Sequence, residues 1–169
     1  MPRRLLAPTN APTLVVRAGR FEDVSAILRL IEDAVEHGCR DHYDDTQLRA
    51  VFVGYAANLY VDAAGPFEML LAEIGGELAA VAQVDVDGGV LRALFVDAAT
   101  QGQGVGRALL AAAEARAREA GCSRLRGAMS LNAVPFYAQA GYRPCGGPAR
   151  LLTGGLRVPV TWMEKSLRT

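Results

Sequence analysis

The chain has 169 residues, 51% hydrophobic and 21% charged, a soluble globular balance that excludes a disordered protein and suits one domain with a sizeable core. Its zero net charge hides an asymmetry: residues 1–98 hold 15 acidic and 8 basic side chains (−7), and residues 99–169 hold 3 and 10 (+7), so a polyanion, if one binds, belongs with the second half. No run of about 18 apolar residues occurs, which argues against a membrane-spanning helix, and the scattered Cys39, Cys122 and Cys145 lack metal-ligand spacing and read as free thiols of a reducing cytoplasm.

In chain order, residues 1–12 read as a flexible tail, because two arginines there precede no sustained apolar segment of a secretory signal. Residues 13–167 read as a single domain, with no internal repeat or linker. "LVVRAG" (14–19) is a β-branched run and a first strand. Asp23 is placed to cap a helix running to about His37, with Val24, Ile27, Leu28, Ile31 and Val35 at helical spacing. "GCRDHYDD" breaks that pattern, and a second helix starts near Thr46, where Asp44 and Gln47 have capping-box spacing. "FEMLLAEI" and "ELAAVAQVDV" read as strands joined at Gly75–Gly76. Asp87–Gly88 is a hairpin signal that pairs 78–86 with 90–96 in antiparallel fashion. A helix over about 104–120 ends at Gly121. "SRLRGAM" is a further strand. "NAVPFYAQAG" is a short helix capped by Asn132 or Ser130, with Pro135 in its first turn and Gly141 closing it. "RVPVTWMEK" is the last strand. The mixture without strict alternation predicts an α/β or α+β domain with a mixed sheet.

"TQGQGVGRALL" (100–110) concentrates glycine where a helix begins. Free backbone N–H groups and the helix dipole converge there, and glycine lets a ligand approach the backbone closely. A Walker A loop needs a Gly-Lys pair, which this chain lacks. The dinucleotide fingerprint fails as well: Gly102 and Gly104 fit, but Arg107 holds the third position.

The spacing Gln101-x-x-Gly104-x-Gly106, with the strand "LRALFVDAAT" before it, resembles the coenzyme A-binding core of the GCN5-related N-acetyltransferase (GNAT) superfamily. "NAVPFYAQAGY" is similar to the family's second CoA-binding segment, with Tyr137 four residues before the Gly141–Tyr142 pair, and "RVPVTWMEKSL" to its last strand. These segments cover roughly residues 67–167; the first 65 match only as strand, helix, helix. The resemblance implies a mixed, mostly antiparallel sheet flanked by helices, with a splayed strand pair that binds acyl-CoA. It implies that Gln101, Gly102, Gln103, Gly104, Val105, Gly106 and Arg107 hold the CoA pyrophosphate. The backbone of Leu94, Phe95 and Val96 would bind the pantetheine arm and polarise the thioester carbonyl, although an ordinary ladder strand has the same side chains. Tyr137 is the candidate general acid, with a packing tyrosine as the alternative. Asn132 either contacts CoA or only caps its helix; it lies five residues before Tyr137, where the family often has seven.

A general base is not legible. Many relatives carry a glutamate on the strand before the loop, but this chain has Leu91, Arg92 and Ala93 there. Asp85 and Asp87 lie on one strand face with Gln83 and could act through water, or be solvated with Asp87 committed to the turn. His42, with Asp41, Asp44 and Asp45 around it, marks a second possibility: an acidic acceptor site for a cationic amine. The reading that follows is an N-acetyltransferase that moves acetyl from acetyl-CoA to a primary amine, on a small molecule or a protein, by direct attack in a ternary complex. It needs no metal, nucleic acid or membrane. The alternative is a non-catalytic CoA-binding module of the same fold.

Overall fold

The computed structural model describes residues 11–62 and 67–168; most of the expected N-terminal tail lies outside them. Period-two alternation sorts the strands' side chains onto two faces, and each face is closed by helices. The elements are β1 (Leu14–Ala18), α1 (Val24–Gly38), α2 (Asp45–Asp62), β2 (Glu68–Ile74), β3 (Glu77–Asp85), β4 (Val90–Val96), α3 (Val105–Glu119), β5 (Arg124–Met129), α4 (Val134–Gln139), β6 (Arg143–Pro144), β7 (Ala149–Thr153) and β8 (Leu156–Ser166). The sheet runs β1-β2-β3-β4-β5-β8-β6, with β7 pairing with β8. Every pairing is antiparallel except β4 with β5. The mixed, mostly antiparallel sheet expected from the sequence is therefore present.

Adjacent strand residues serve opposite cores. Leu70, Ala80 and Ala82 pack with Leu109, Leu110 and Ala113 of α3, whereas Leu71 and Val81 pack with Ile27, Ile31 and Val35 of α1 and Leu48 and Val51 of α2. Each fully buried large aliphatic side chain stabilises the fold by roughly 1.5–3 kcal/mol. The two cores thus hold the two faces of one sheet.

Local turn chemistry moves several expected boundaries. Asp23 makes no side-chain cap on α1. A 3-10 turn over Phe21–Asp23 precedes the helix, and the Asp23 carboxylate instead accepts the Arg20 N–H at 2.8 Å and both guanidinium nitrogens of Arg17. Asp44 and Gln47 do form the reciprocal box: the Gln47 N–H donates to Asp44 Oδ1 at 2.8 Å and the Asp44 N–H to Gln47 Oε1 at 3.0 Å. The β3–β4 turn spans 86–89 rather than Asp87–Gly88 alone. Its left-handed residue is Gly89, and Asp85, not Asp87, ties the turn by accepting the Gly88 N–H at 2.8 Å. Neither Ser130 nor Asn132 caps α4 through its side chain, because a 3-10 turn over Leu131–Ala133 leads into that helix. The β7–β8 hairpin was not anticipated. Its signal is the Gly154–Gly155 pair, both left-handed, after the short run "ARLLT".

Candidate active site

The site begins where the sheet comes apart. β4 and β5 pair only at Val90 with Arg126, where the Arg126 N–H donates to the Gly89 carbonyl at 3.1 Å. Gly127 allows that approach: a Cβ there would stand 2.7 Å from the Leu91 carbonyl oxygen. Beyond it the strands diverge. On its other edge β4 carries a bulge, since Gln83 opposes Ala93 while Val84 opposes Leu91, leaving Arg92 as the extra residue. Leu94, Phe95 and Val96 follow the bulge, paired to β3 through Ala82, Val81 and Ala80, with their second edge facing the gap.

A cavity of about 60 Å³ fills the gap. Leu91, Leu94, Met129, Ala133 and Tyr137 line it from the α3 face, and Tyr43, Val51, Tyr55, Phe95 and Val158 from the α1–α2 face. The opening therefore joins the two sides of the sheet.

The glycine loop stands at the end of β4, and its three glycines do two different jobs. Gly102 and Gly104 have φ of +76° and +81°, with no atom within 4 Å of a would-be Cβ, so they supply left-handed turns beside open space. Gly104 is the residue ahead of α3 and gives it no side-chain cap, which leaves the first helical N–H groups at Val105, Gly106 and Arg107 directed outward. Gly106 is a packing glycine: a Cβ would lie 3.1 Å from Val96 Cγ2 and 3.5 Å from the Phe136 ring. Gln101 and Gln103 turn their amides back on the chain, toward the carbonyls of Val96 at 3.5 Å and Ala99 at 3.3 Å. Arg107 is exposed.

Tyr137 is 4% exposed, packs edge-on against Phe136 and Tyr142, and borders the cavity. Burial pushes its pKa well above the usual tyrosine value. Asn132 does not border the cavity. Its Oδ1 is buried without a partner among the described residues, and its Nδ2 and the Gln101 Nε2 lie 3.7 and 4.0 Å from where a Cβ of Gly38 would stand.

The acidic acceptor site expected around His42 does not form. His42 and Asp41 are exposed and outside the cavity. Asp44 is spent on its helix cap, and Asp45 pairs with Arg40 along a separate groove between α1 and α2. Asp85 is occupied by its turn. What faces the cavity from this side is aromatic, and sequence reasoning missed it. Tyr43 donates its hydroxyl proton to the Pro159 carbonyl at 2.7 Å and accepts the Leu131 N–H at 2.9 Å. Tyr55 donates to the Arg92 carbonyl at 3.1 Å and packs edge-on against Phe95. Burial pushes the Tyr55 phenol up to about 12, opposed by the nearby Arg92 charge. It likewise pushes the Cys39 thiol up to about 11. Tyr55 had a usable signal, since it continues the helical spacing of Leu48 and Val51; Tyr43 sits alone in a polar run.

The description "Acetyltransferase (GNAT) domain" matches residues 32–167. Among solved structures, a GCN5-related N-acetyltransferase from Rhodopseudomonas palustris superposes with a TM-score of 0.79 at 24% identity, covering 95% of this chain and 99% of its own. The PaiA N-acetyltransferase of Thermoplasma acidophilum, solved in complex with coenzyme A, has a TM-score of 0.74 at 14% identity, covering 91% and 99%. YncA, a putative acetyltransferase from Salmonella typhimurium solved with acetyl-CoA, has a TM-score of 0.59 at 22% identity, covering 92% and 94%. No curated protein matches the chain in sequence. With the family's domain spanning residues 32–167 and its fold reproduced around a parted strand pair, the chain belongs to the GNAT acetyltransferase family.

Proposed function

We propose that the protein transfers the acetyl group of acetyl-CoA to a primary amine by direct attack in a ternary complex, with Tyr137 as the general acid. The observation that carries this is the Tyr137 ring at the edge of the cavity where β4 and β5 part. The residues present fit acetyl-CoA on three counts. The second edge of β4 is open along Leu94, Phe95 and Val96. The loop from Gln101 to Arg107 presents outward N–H groups over left-handed glycines. The third count is charge, because the half of the chain that carries the loop is basic. Ten of the 13 charged side chains from residue 99 onward are basic, which suits the phosphates.

When bound, acetyl-CoA supplies an activated thioester carbonyl. The backbone donors of β4 are held in place by pairing with β3, so they can stabilise charge on that oxygen without reorganising; one such donor contributes about 3 kcal/mol. Tyr137 holds its proton through the whole physiological range and offers it at Oη to the departing sulfur as the C–N bond forms and the C–S bond breaks; the proton shed by the amine nitrogen then restores the phenol. Desolvation raises the Cys39 thiol at the cavity as it raises this phenol, and it would act in the same direction on a CoA thiol held there. Cys39 itself remains a protonated thiol and a poor nucleophile, which favours direct attack over an acyl-enzyme. The three free thiols fit a reducing, cytoplasmic setting.

The absence of any carboxylate or histidine among the cavity residues favours a second reading, a CoA-binding module without catalysis. Calorimetric CoA binding, together with thiol release from acetyl-CoA over a panel of amines, separates them. Turnover that falls about 100-fold in kcat with Tyr137→Phe supports the enzyme. CoA binding with no turnover on any amine supports the module.

A further inference from the structure

We infer that the acceptor is a primary amine on an apolar or aromatic body with no second positive charge, and that Arg92 is the residue that sets this preference. The inference rests on the acetyltransferase reading and specifies its substrate class.

The wall of the cavity on the α1–α2 face is built from Tyr43, Val51, Tyr55, Phe95, Leu151 and Val158. Such a wall gains from burying apolar or aromatic carbon and presents no carboxylate to pair with an ammonium group. Every titratable group that borders the cavity is neutral or positive at neutral pH. Cys39, Tyr43, Tyr55 and Tyr137 keep their protons, and Arg92 is cationic.

Arg92 is held in place at the rim. It is the bulge residue of β4, its carbonyl accepts the Tyr55 hydroxyl, and its guanidinium lies 4.1 Å from the centroid of the Phe67 ring. Among the side chains described, which leave out residues 58–66, no carboxylate pairs with it. Its charge reaches the cavity, because it works to lower the pKa of the Tyr55 hydroxyl there.

Low polarity and a fixed positive charge both favour the uncharged form of an entering amine. The site therefore needs no protein base to keep the nucleophile neutral. The same two features exclude a polyamine, whose remote ammonium groups would stay charged beside Arg92.

The test measures kcat/KM for benzylamine, phenethylamine and spermidine by CoA thiol release, with CoA affinity followed by calorimetry. The wild type should prefer phenethylamine over spermidine by at least about tenfold, and Arg92→Glu should shrink that ratio by a further factor of about ten, with Arg92→Gln between them. The ratio should also narrow as salt rises. The pH profile of kcat/KM should rise with an inflection that follows each amine's own pKa. Spermidine as the better substrate, a ratio indifferent to Arg92→Glu, or one inflection near neutral pH shared by all amines would each overturn the inference while leaving acetyl transfer standing. CoA binding with no turnover on any amine overturns both.

Discussion

The two sides of the parted sheet are made differently. On the α3 side, the site consists of backbone: left-handed glycines, uncapped helical N–H groups and an open strand edge. On the α1–α2 side it consists of side chains drawn from the end of α1, from α2, β7 and β8, with the Tyr43 hydroxyl bridging Pro159 to Leu131. A backbone site demands glycine at fixed spacing, whatever the rest of the sequence does. A side-chain site demands only that some apolar residue arrive from each element. In the proposed function the first holds the acetyl donor, and the second is free to vary with the amine.

The largest effect should come from the residue at the junction. Tyr137→Phe keeps the ring packing against Phe136 and Tyr142 but removes the proton. Steady-state rates should show kcat lower by about 100-fold with both KM values near wild type. An equal loss in KM would instead mark Tyr137 as a packing residue. Next comes Tyr43→Phe, on the side-chain side. It removes the hydroxyl that joins a half-buried carbonyl to a half-buried N–H and should cost about 1 kcal/mol in urea unfolding. Acetyl-CoA KM should be spared while the acceptor KM rises. Gly104→Val, on the backbone side, should do the reverse. Forcing a β-branched residue to φ of +81° costs roughly 1–2 kcal/mol, and acetyl-CoA KM should rise more than the acceptor's.

This division also explains what was legible. Strand pairing from β2 to β4 followed from alternation and from the Gly75–Gly76 turn, and the loop from the spacing of Gln101, Gly104 and Gly106. The parting of β4 from β5 has no sequence signature of its own. Gly127 meeting the Leu91 carbonyl marks where the strands last approach, a tertiary contact, and the parting beyond it was expected only through the family resemblance. The carboxylates near His42 misled for a physical reason: helix capping and an ion pair with Arg40 use the same residue types as a cation site. Tyr43 was hidden because its partners, Pro159 and Leu131, lie far away in sequence.

A smaller effect spans both sides. Tyr43, Tyr55, Tyr137 and Tyr142 all have folded pKa values raised by burial above an unfolded value of 10.0. Each neutral phenol thus contributes stability fully present below pH 10 and lost as pH rises toward the folded value, about 12 for Tyr55. Melting temperature should hold up to about pH 9, decline slightly as the buried Cys39 thiol contributes in the same direction, and fall steeply above pH 10, each group adding at most about 1.4 kcal/mol per pH unit. Tyr55→Phe should flatten the steep fall above pH 10, and a steep decline beginning well below pH 9 would assign it to other groups.

The smallest effect is the one that tests direct transfer. Cys39 borders the cavity beside Tyr43, so its position alone would allow a covalent acetyl carrier. Its chemistry argues otherwise: the thiolate is the nucleophilic form, and burial holds the pKa near 11, leaving about one part in ten thousand ionised at pH 7. Cys39→Ala should therefore keep kcat within about twofold of wild type, with at most a modest loss of stability from the vacated volume. Mass spectrometry of the wild type after exposure to acetyl-CoA without amine should show no added acetyl group. An acetylated Cys39 peptide that loses its label when amine is added would establish a two-step route, and Tyr137 would then protonate the CoA thiolate before the amine arrives.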